Sequence, residues 1–366
     1  MECLEKPVWN RYTEEEIEKL TITAPDGEIY KRVLNNFDQL AKPLDGLGRF
    51  EVLTARIGAI QGTEKIDISK KAVIIMCADN GIVAEGISQS GQEVTLAVVK
   101  NMAEKKTSVG IMAGTMGIDT IPVNIGVNHK NIIPGVLNKK IRSGTRNFRN
   151  EPAMTEQEAI KAIFTGIEMV SYCKEKGYKI LATGEMGIGN TTTSSAVAAA
   201  LLNCEATEVT GRGAGLSDEK LLHKQNIITE AIDKYGLRDA EALRILETVG
   251  GFDIAGLAGV CMGGALYHVP IVLDGVISMV AALVAERIVP GTKDYLIPSH
   301  KGKEPATAKL AKVLNLEPVI DAEMALGEGT GAVMMFSLLD IALSVYQERT
   351  TFSDINIEQY ERFSHK

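Results

Sequence analysis

The apolar positions change their spacing near Lys71, and that change predicts the architecture. Before it, Thr13 is placed to cap a short helix over Glu14 to Leu20. Gly27 to Leu40 then carries apolar residues at helical spacing until KPLDGLGR breaks the pattern. After Lys71, short apolar runs alternate with helix-length amphipathic segments. KAVIIMCA, IDTIPVNIGV, YKILATGE and VPIVLDG read as strands, and Thr155 to Lys176 reads as one of the helices between them. Such alternation predicts an α/β fold, a parallel sheet wrapped by helices. The last amphipathic helix, Ala332 to Glu348, is placed to return against the amino-terminal helices as a small second domain.

Composition narrows the picture. The 366 residues are 45% hydrophobic but only 5% aromatic and include 35 glycines, which favours aliphatic α/β packing with tight turns over a β-sandwich. Lys and Arg total 39 against 47 for Asp and Glu, a net charge of −8, so no general attraction to nucleic acid or an anionic membrane is expected. Cys3, Cys77, Cys173, Cys204 and Cys261 are odd in number and widely spaced, as suits reduced thiols rather than a disulfide framework. MECLEKPVWN has acids where a signal peptide has basic and then apolar residues. The apolar stretch from Val269 to Ala285 is broken by Asp274 and falls short of the ~20 residues of a membrane span. The expectation is a cytoplasmic protein without a membrane span.

In an open parallel sheet, ligands bind beyond the carboxyl ends of the strands. Three loops should gather there: ADNGIVAEG, GEMGIGNTTT and LDG. GEMGIGNTTT, from Gly184 to Thr193, joins a strand to a small-residue helix, so its N–H groups and hydroxyls suit an anion; a tight turn without a ligand is the alternative. Gly184, Gly189 and Thr191 follow P-loop spacing, but Asn190 stands in place of the lysine, which favours a phosphate monoester over ATP. GRGAGLSDEKLLHK supplies Gly211, Gly213 and then Lys224, on a helix that should begin near Ser217. SHKGKEP, beginning at Ser299, offers further phosphate contacts or a polar surface loop. Ser88 and Gln92 are neutral partners suited to a heterocycle, though Gln92 also suits a helix start. The five histidines form neither a metal-ligand spacing nor a triad, which leaves Glu185, Glu328 and Asp274 as candidate acids or bases. Glu328 lies between two glycines in LGEGTGA, where a capping acid is the alternative.

Taken together, KPLDGLGR, ADNGIVAEGIS, IRSGTRN, GEMGIGNTTTSSA, GRGAGLSDEKLLHK, GGFDIAGLAG, VLDG and LGEGTGA resemble the nicotinate-nucleotide:dimethylbenzimidazole phosphoribosyltransferase family of cobalamin lower-ligand assembly. The resemblance spans nearly the whole chain. It implies a Rossmann-like large domain over residues 51–332, a small helical domain from 1–50 and 333–366, and a homodimer. It implies transfer of 5-phosphoribosyl from nicotinate mononucleotide to 5,6-dimethylbenzimidazole, giving α-ribazole 5′-phosphate and nicotinate, with neither cofactor nor metal. Glu328 becomes the catalytic base, with Glu185, Ser88, Gln92 and Met186 around the acceptor base. Gly187, Ile188, Gly189, Asn190, Thr191, Gly211, Gly213, Lys224, Asp274, Gly275 and Ser299 become nucleotide and phosphate contacts. The chain departs from the family pattern at Asn80, where a histidine is common, and at Asn124, where an aspartate is.

The implied chemistry agrees with the residues. The glycosidic nitrogen of nicotinate mononucleotide is already a pyridinium, so departure of nicotinate needs no metal-activated pyrophosphate. No strand here ends in the adjacent acid pair and Thr-Gly turn of diphosphate-donor transferases. One benzimidazole nitrogen attacks while the other loses a proton, which calls for a carboxylate whose basicity is raised by apolar surroundings. A transferase for adenine or a phenolic acceptor, and a non-catalytic nucleotide-binding protein, are the alternatives.

Overall fold

The computed structural model describes residues 13–362; Cys3 and the acidic amino-terminal stretch lie outside them. Six parallel strands form one sheet: β1 (Lys71–Ala78), β2 (Asp119–Gly126), β3 (Leu137–Asn138), β4 (Ile180–Met186), β5 (Ile271–Leu273) and β6 (Leu296–Pro298). Their order is β3-β2-β1-β4-β5-β6, which makes this a Rossmann-like α/β fold. The sequence pattern finds β1, β2, β4 and β5. It misses β3 and β6, whose two and three residues are too short to show a period.

Side chains of β1 alternate between two cores, as period two requires. Ala72, Ile74 and Met76 join the helices Glu156–Glu175, Asn190–Leu201, Phe252–Leu266 and Val276–Ile288. Val73, Ile75 and Cys77 face the helices Gly27–Gln39, Arg49–Gln61, Ser108–Thr115 and Thr330–Glu348. The helix starts follow side-chain caps legible in the sequence. Thr13 and Glu16 form a capping box, as do Thr155 and Glu158, while Asp26 and Ser217 accept N–H bonds from the first turns of their helices.

The two chain ends meet on the second face. Phe37 packs 4.9 Å from Tyr346, Asn36 donates to the Tyr346 hydroxyl at 3.0 Å, and Leu40 bridges to Thr351. Arg362 closes the arrangement by clasping Asp38 and Asp45. Among the described residues, one helix, Thr330–Glu348, is long and apolar enough to cross a membrane, yet much of it is packed inside the protein through Val333, Phe336, Leu339 and Tyr346.

The order in which strands are added reverses between β1 and β4: β2 and β3 lie to one side, β5 and β6 to the other. Crossover helices therefore leave on opposite faces at this junction, which opens a crevice beyond the carboxyl ends of the two strands.

Candidate active site

That crevice holds a cavity of about 360 Å³. Glu185 and Met186 at the end of β4, the turn Gly187–Gly189 and the helix start Asn190–Thr191 form one wall. Gly213, Asp274, Gly275 and the Gly327–Glu328 turn complete the polar boundary, and Ile87, Val94, Val98 and Leu326 add apolar surface.

Glu328 has φ 63°, between Gly327 at 86° and Gly329 at 100°. A left-handed conformation costs a non-glycine residue roughly 1–2 kcal/mol, so the surrounding structure must enforce it, as is common where geometry serves function. Asp274 supplies the enforcement. Its carboxylate accepts the N–H groups of Gly329 at 3.1 Å, Gly331 at 2.8 Å and Ala332 at 3.3 Å, capping a helix whose own N-cap is a glycine. The turn also lies tight on β4: a Cβ at Gly184 would come 2.5 Å from the Glu328 carbonyl oxygen, and one at Gly327 would come 2.7 Å from Glu185 Oε1. Glu328 Oε2 accepts the Val109 N–H at 3.1 Å, in the first turn of the helix Ser108–Thr115. Burial raises the Glu328 pKa above the usual carboxylate value, the Val109 N–H opposes that rise, and the Asp274 charge adds to it.

Glu185 is a different kind of acid. It is buried, and the Asn190 side-chain amide donates both to it and, at 3.1 Å, to Asp253 Oδ2. Burial first, and then the Asp253 charge, push the Glu185 carboxyl up to about 8, against the Asn190 bond. Burial raises Asp253 to about 6, opposed by bonds from Asn190, the Ile254 N–H and Asn80. Asp253 thus ionises first, and its charge keeps the proton on Glu185. Burial and the Asp253 charge thus favour the protonated form of Glu185, whereas at Glu328 the Val109 N–H offsets part of the rise that burial causes.

At the glycine-rich end, Lys224 is fully buried and lies behind the cavity wall. Its Nζ donates to Thr191 Oγ1 at 2.9 Å and to the Gly211 carbonyl at 3.4 Å. Burial pulls its pKa down to about 8, and the Glu304 charge pulls it back up. Gly213 sits on Thr191 and donates its N–H to Glu304 Oε1 at 3.0 Å.

The cavity therefore gathers Ser88, Glu185, Met186, Gly187, Ile188, Gly189, Asn190, Thr191, Gly213, Asp274, Gly275 and Glu328 from the residues singled out in the sequence. Four others stand behind it. Gln92 opens its helix and donates to the Asn80 carbonyl at 3.1 Å, while Gln89 lines the cavity. Gly211 and Lys224 back Thr191 and Gly213. Ser299 is buried and donates to the Asp274 carbonyl at 3.2 Å, leaving its neighbour His300 to face the cavity. Asp274 lines the cavity, but its oxygens are bound to backbone N–H groups. Asn80 is buried under the Gly187–Gly189 turn, whereas Asn124 braces the end of β2 by accepting the Val127 N–H at 2.9 Å.

Sequence reasoning missed Asp253 and Glu304, and offered His300 only as one of several polar groups in SHKGKEP. A signal existed for Asp253, since an acid inside the otherwise apolar FDIAGLAGVCMGGAL needs a partner. His300 and Glu304 belong to SHKGKEP, where nothing in the spacing separates cavity-facing from solvent-facing residues.

A phosphoribosyltransferase family model matches residues 22–357. The chain is 45% identical over 339 residues to the nicotinate-nucleotide–dimethylbenzimidazole phosphoribosyltransferase of Acetivibrio thermocellus, covering 92% of this chain and 97% of that one. Identity to the protein of the same name from Ruminiclostridium cellulolyticum is 44%, covering 91% and 95%. Among solved structures, CobT from Thermus thermophilus superposes with a TM-score of 0.86 at 34% identity, covering 91% of this chain and all of that one.

Proposed function

Because the chain belongs to this phosphoribosyltransferase family, we propose that its cavity joins the two substrates with Glu328 as the base. The chain transfers the 5-phosphoribosyl group of nicotinate mononucleotide to dimethylbenzimidazole, releasing nicotinate and forming α-ribazole 5′-phosphate for the cobalamin lower ligand. The observation that carries the assignment of Glu328 is its enforced left-handed turn, which fixes a partly buried carboxylate in the wall of the cavity that Met186 and the apolar residues also line. The flat acceptor lies between those apolar side chains and the Gly327–Glu328 turn. One ring nitrogen attacks the anomeric carbon in line with the departing pyridinium, and Glu328 takes the proton from the other.

The donor phosphate lies at the start of the helix Asn190–Leu201 and against Gly213, where N–H groups, the Thr191 hydroxyl and the Lys224 charge behind it converge. Protonated Glu185 donates a hydrogen bond to substrate. Being uncharged, it neither competes with Glu328 for the proton nor repels the nicotinate carboxylate.

Several wider features belong to the same reading. The second copy of a homodimer packs on the stripe Met334, Leu338, Ile341 and Val345, exposed except for the half-buried Leu338, whose 4-3-4 spacing is that of a helix–helix seam. Within the described residues, 13–50 with 333–362 act as the small helical domain expected of the two chain ends, supported by the Phe37–Tyr346 packing, and residues 51–332 as the large one. The described cysteines are all unpaired, which supports a reducing, cytoplasmic setting.

The decisive experiment mixes the protein with nicotinate mononucleotide and, in turn, dimethylbenzimidazole, adenine and a phenol, without ATP, and follows free nicotinate. Release with dimethylbenzimidazole that collapses in Glu328→Gln supports the reading. Release only with adenine or the phenol overturns the acceptor, and no release with any acceptor overturns the activity.

A further inference from the structure

The glycine cradle assigned above to the donor phosphate already contains an anion supplied by the protein. Glu304 lines the same cavity as Gly213 and Thr191, and its Oε1 accepts the Gly213 N–H at 3.0 Å. Its Oε2 lies so close over Gly211 that a Cβ there would come within 2.0 Å of it. Thr191 is the next neighbour, since a Cβ at Gly213 would meet its hydroxyl oxygen at 2.9 Å, and Lys224 Nζ bonds that hydroxyl from behind at 2.9 Å. The Glu304 charge acts on Lys224 across this short path. The carboxylate thus uses the backbone donor that would serve a phosphate monoester, and its charge acts on the lysine that would attract one.

We propose that Glu304 is a built-in competitor for the phosphate of the donor and of the product, a carboxylate that must leave the Gly213 N–H beside Thr191 for phosphate to enter. The proposal rests on the assignment of that cradle to phosphate. Two anions cannot share one N–H donor and one buried lysine without strong repulsion, and the dianionic monoester is the stronger partner for both. Glu304 is only partly buried and precedes the helix Ala306–Leu314, to which it is tied by its backbone carbonyl, so its side chain can turn outward without disturbing that helix.

The consequence concerns turnover. The same phosphate arrives on nicotinate mononucleotide and departs on the product, so a cradle that held it tightly would slow release. A returning carboxylate makes the cradle weaker for both and keeps the lysine charge compensated between turnovers. Glu304 is then a determinant of affinity and product release that takes no part in the bond exchange.

The test titrates inorganic phosphate and nicotinate mononucleotide into the full-length protein, Glu304→Gln and Glu304→Ala by calorimetry, with Lys224→Ala locating the binding. Both Glu304 variants should bind phosphate and donor about ten-fold tighter or more, the equivalent of one charge-assisted hydrogen bond no longer competed for. In steady state, KM for the donor and kcat should fall together, with dimethylbenzimidazole affinity unchanged. Equal or weaker donor binding by the variants, while the unaltered protein binds phosphate in a Lys224-dependent way, overturns the role of Glu304 alone. Absence of saturable, Lys224-dependent phosphate binding in every version overturns the cradle assignment and this inference with it.

Discussion

Replacing Glu185 by Gln should stabilise the protein, and the gain should grow with pH. Gln reproduces the shape of a protonated carboxyl: its carbonyl can still accept from Asn190, and its N–H₂ stands where the acid proton is. Burial and Asp253 raise the Glu185 carboxyl from 4.5 to about 8. Below pH 4.5 the group is protonated in both folded and unfolded chains and contributes no pH slope. Between that value and about 8, the unfolded chain releases a proton that the folded chain keeps, so stability falls as pH rises. At about 1.4 kcal/mol per pH unit, the loss reaches roughly 3 kcal/mol by pH 7. The Gln variant lacks this loss. Urea unfolding of the two proteins from pH 5 to 8 should show a stability difference that opens steadily over the range. Turnover of the variant at pH 7 should stay within a few-fold of the original, because the neutral form is the one assigned to catalysis. Above about pH 8 the original should lose activity more steeply than the variant, because Lys224 loses its proton in both while Glu185 ionises only in the original. A stability difference that is flat with pH, or that favours Glu185 as pH rises, refutes the reasoning; so does a collapse of activity in a well-folded variant at pH 7.

The remaining predictions concern other groups around the cavity. Glu328→Gln should leave both substrates bound and slow turnover by ~10²–10⁴-fold, the usual loss on removing a general base, as measured by nicotinate release. Lys224→Ala should weaken nicotinate mononucleotide binding while sparing dimethylbenzimidazole, and donor affinity in the original should decline above about pH 8 as Lys224 loses its proton. Asp274→Ala removes the acceptor of three N–H groups and should cost about 2 kcal/mol or more in urea unfolding, with turnover falling because the Glu328 turn loses its brace. Activity should persist in excess chelator, since the pyridinium leaving group needs no metal; a strict magnesium requirement would point to a diphosphate donor.

The sequence by itself determined the strand–helix alternation, most strand positions and the helix caps. These depend on local period and short side-chain reach, as β1 from Lys71 to Ala78 and the Thr155–Glu158 box show. It also pointed to the glycine loops, because strand–turn–helix junctions at a parallel sheet's edge are where ligands bind, and it left Glu328 as one of three candidate acids until the family resemblance singled it out. Only the tertiary structure decided what each acid does. Asp274 and Glu328 are both acids in sheet-edge loops, yet one is bound to the start of a helix and the other is held in a strained turn facing the cavity. Glu185 and Asp253 stand far apart along the chain, and the crossing of β4 with a buried helix brings both to one Asn190 amide. Lys224 and Gln92, plausible contacts by type, end behind the wall, while Glu304 and His300 reach the front. The physical reason is that burial and charge proximity set protonation and orientation, and both are sums over neighbours that only the folded chain assembles.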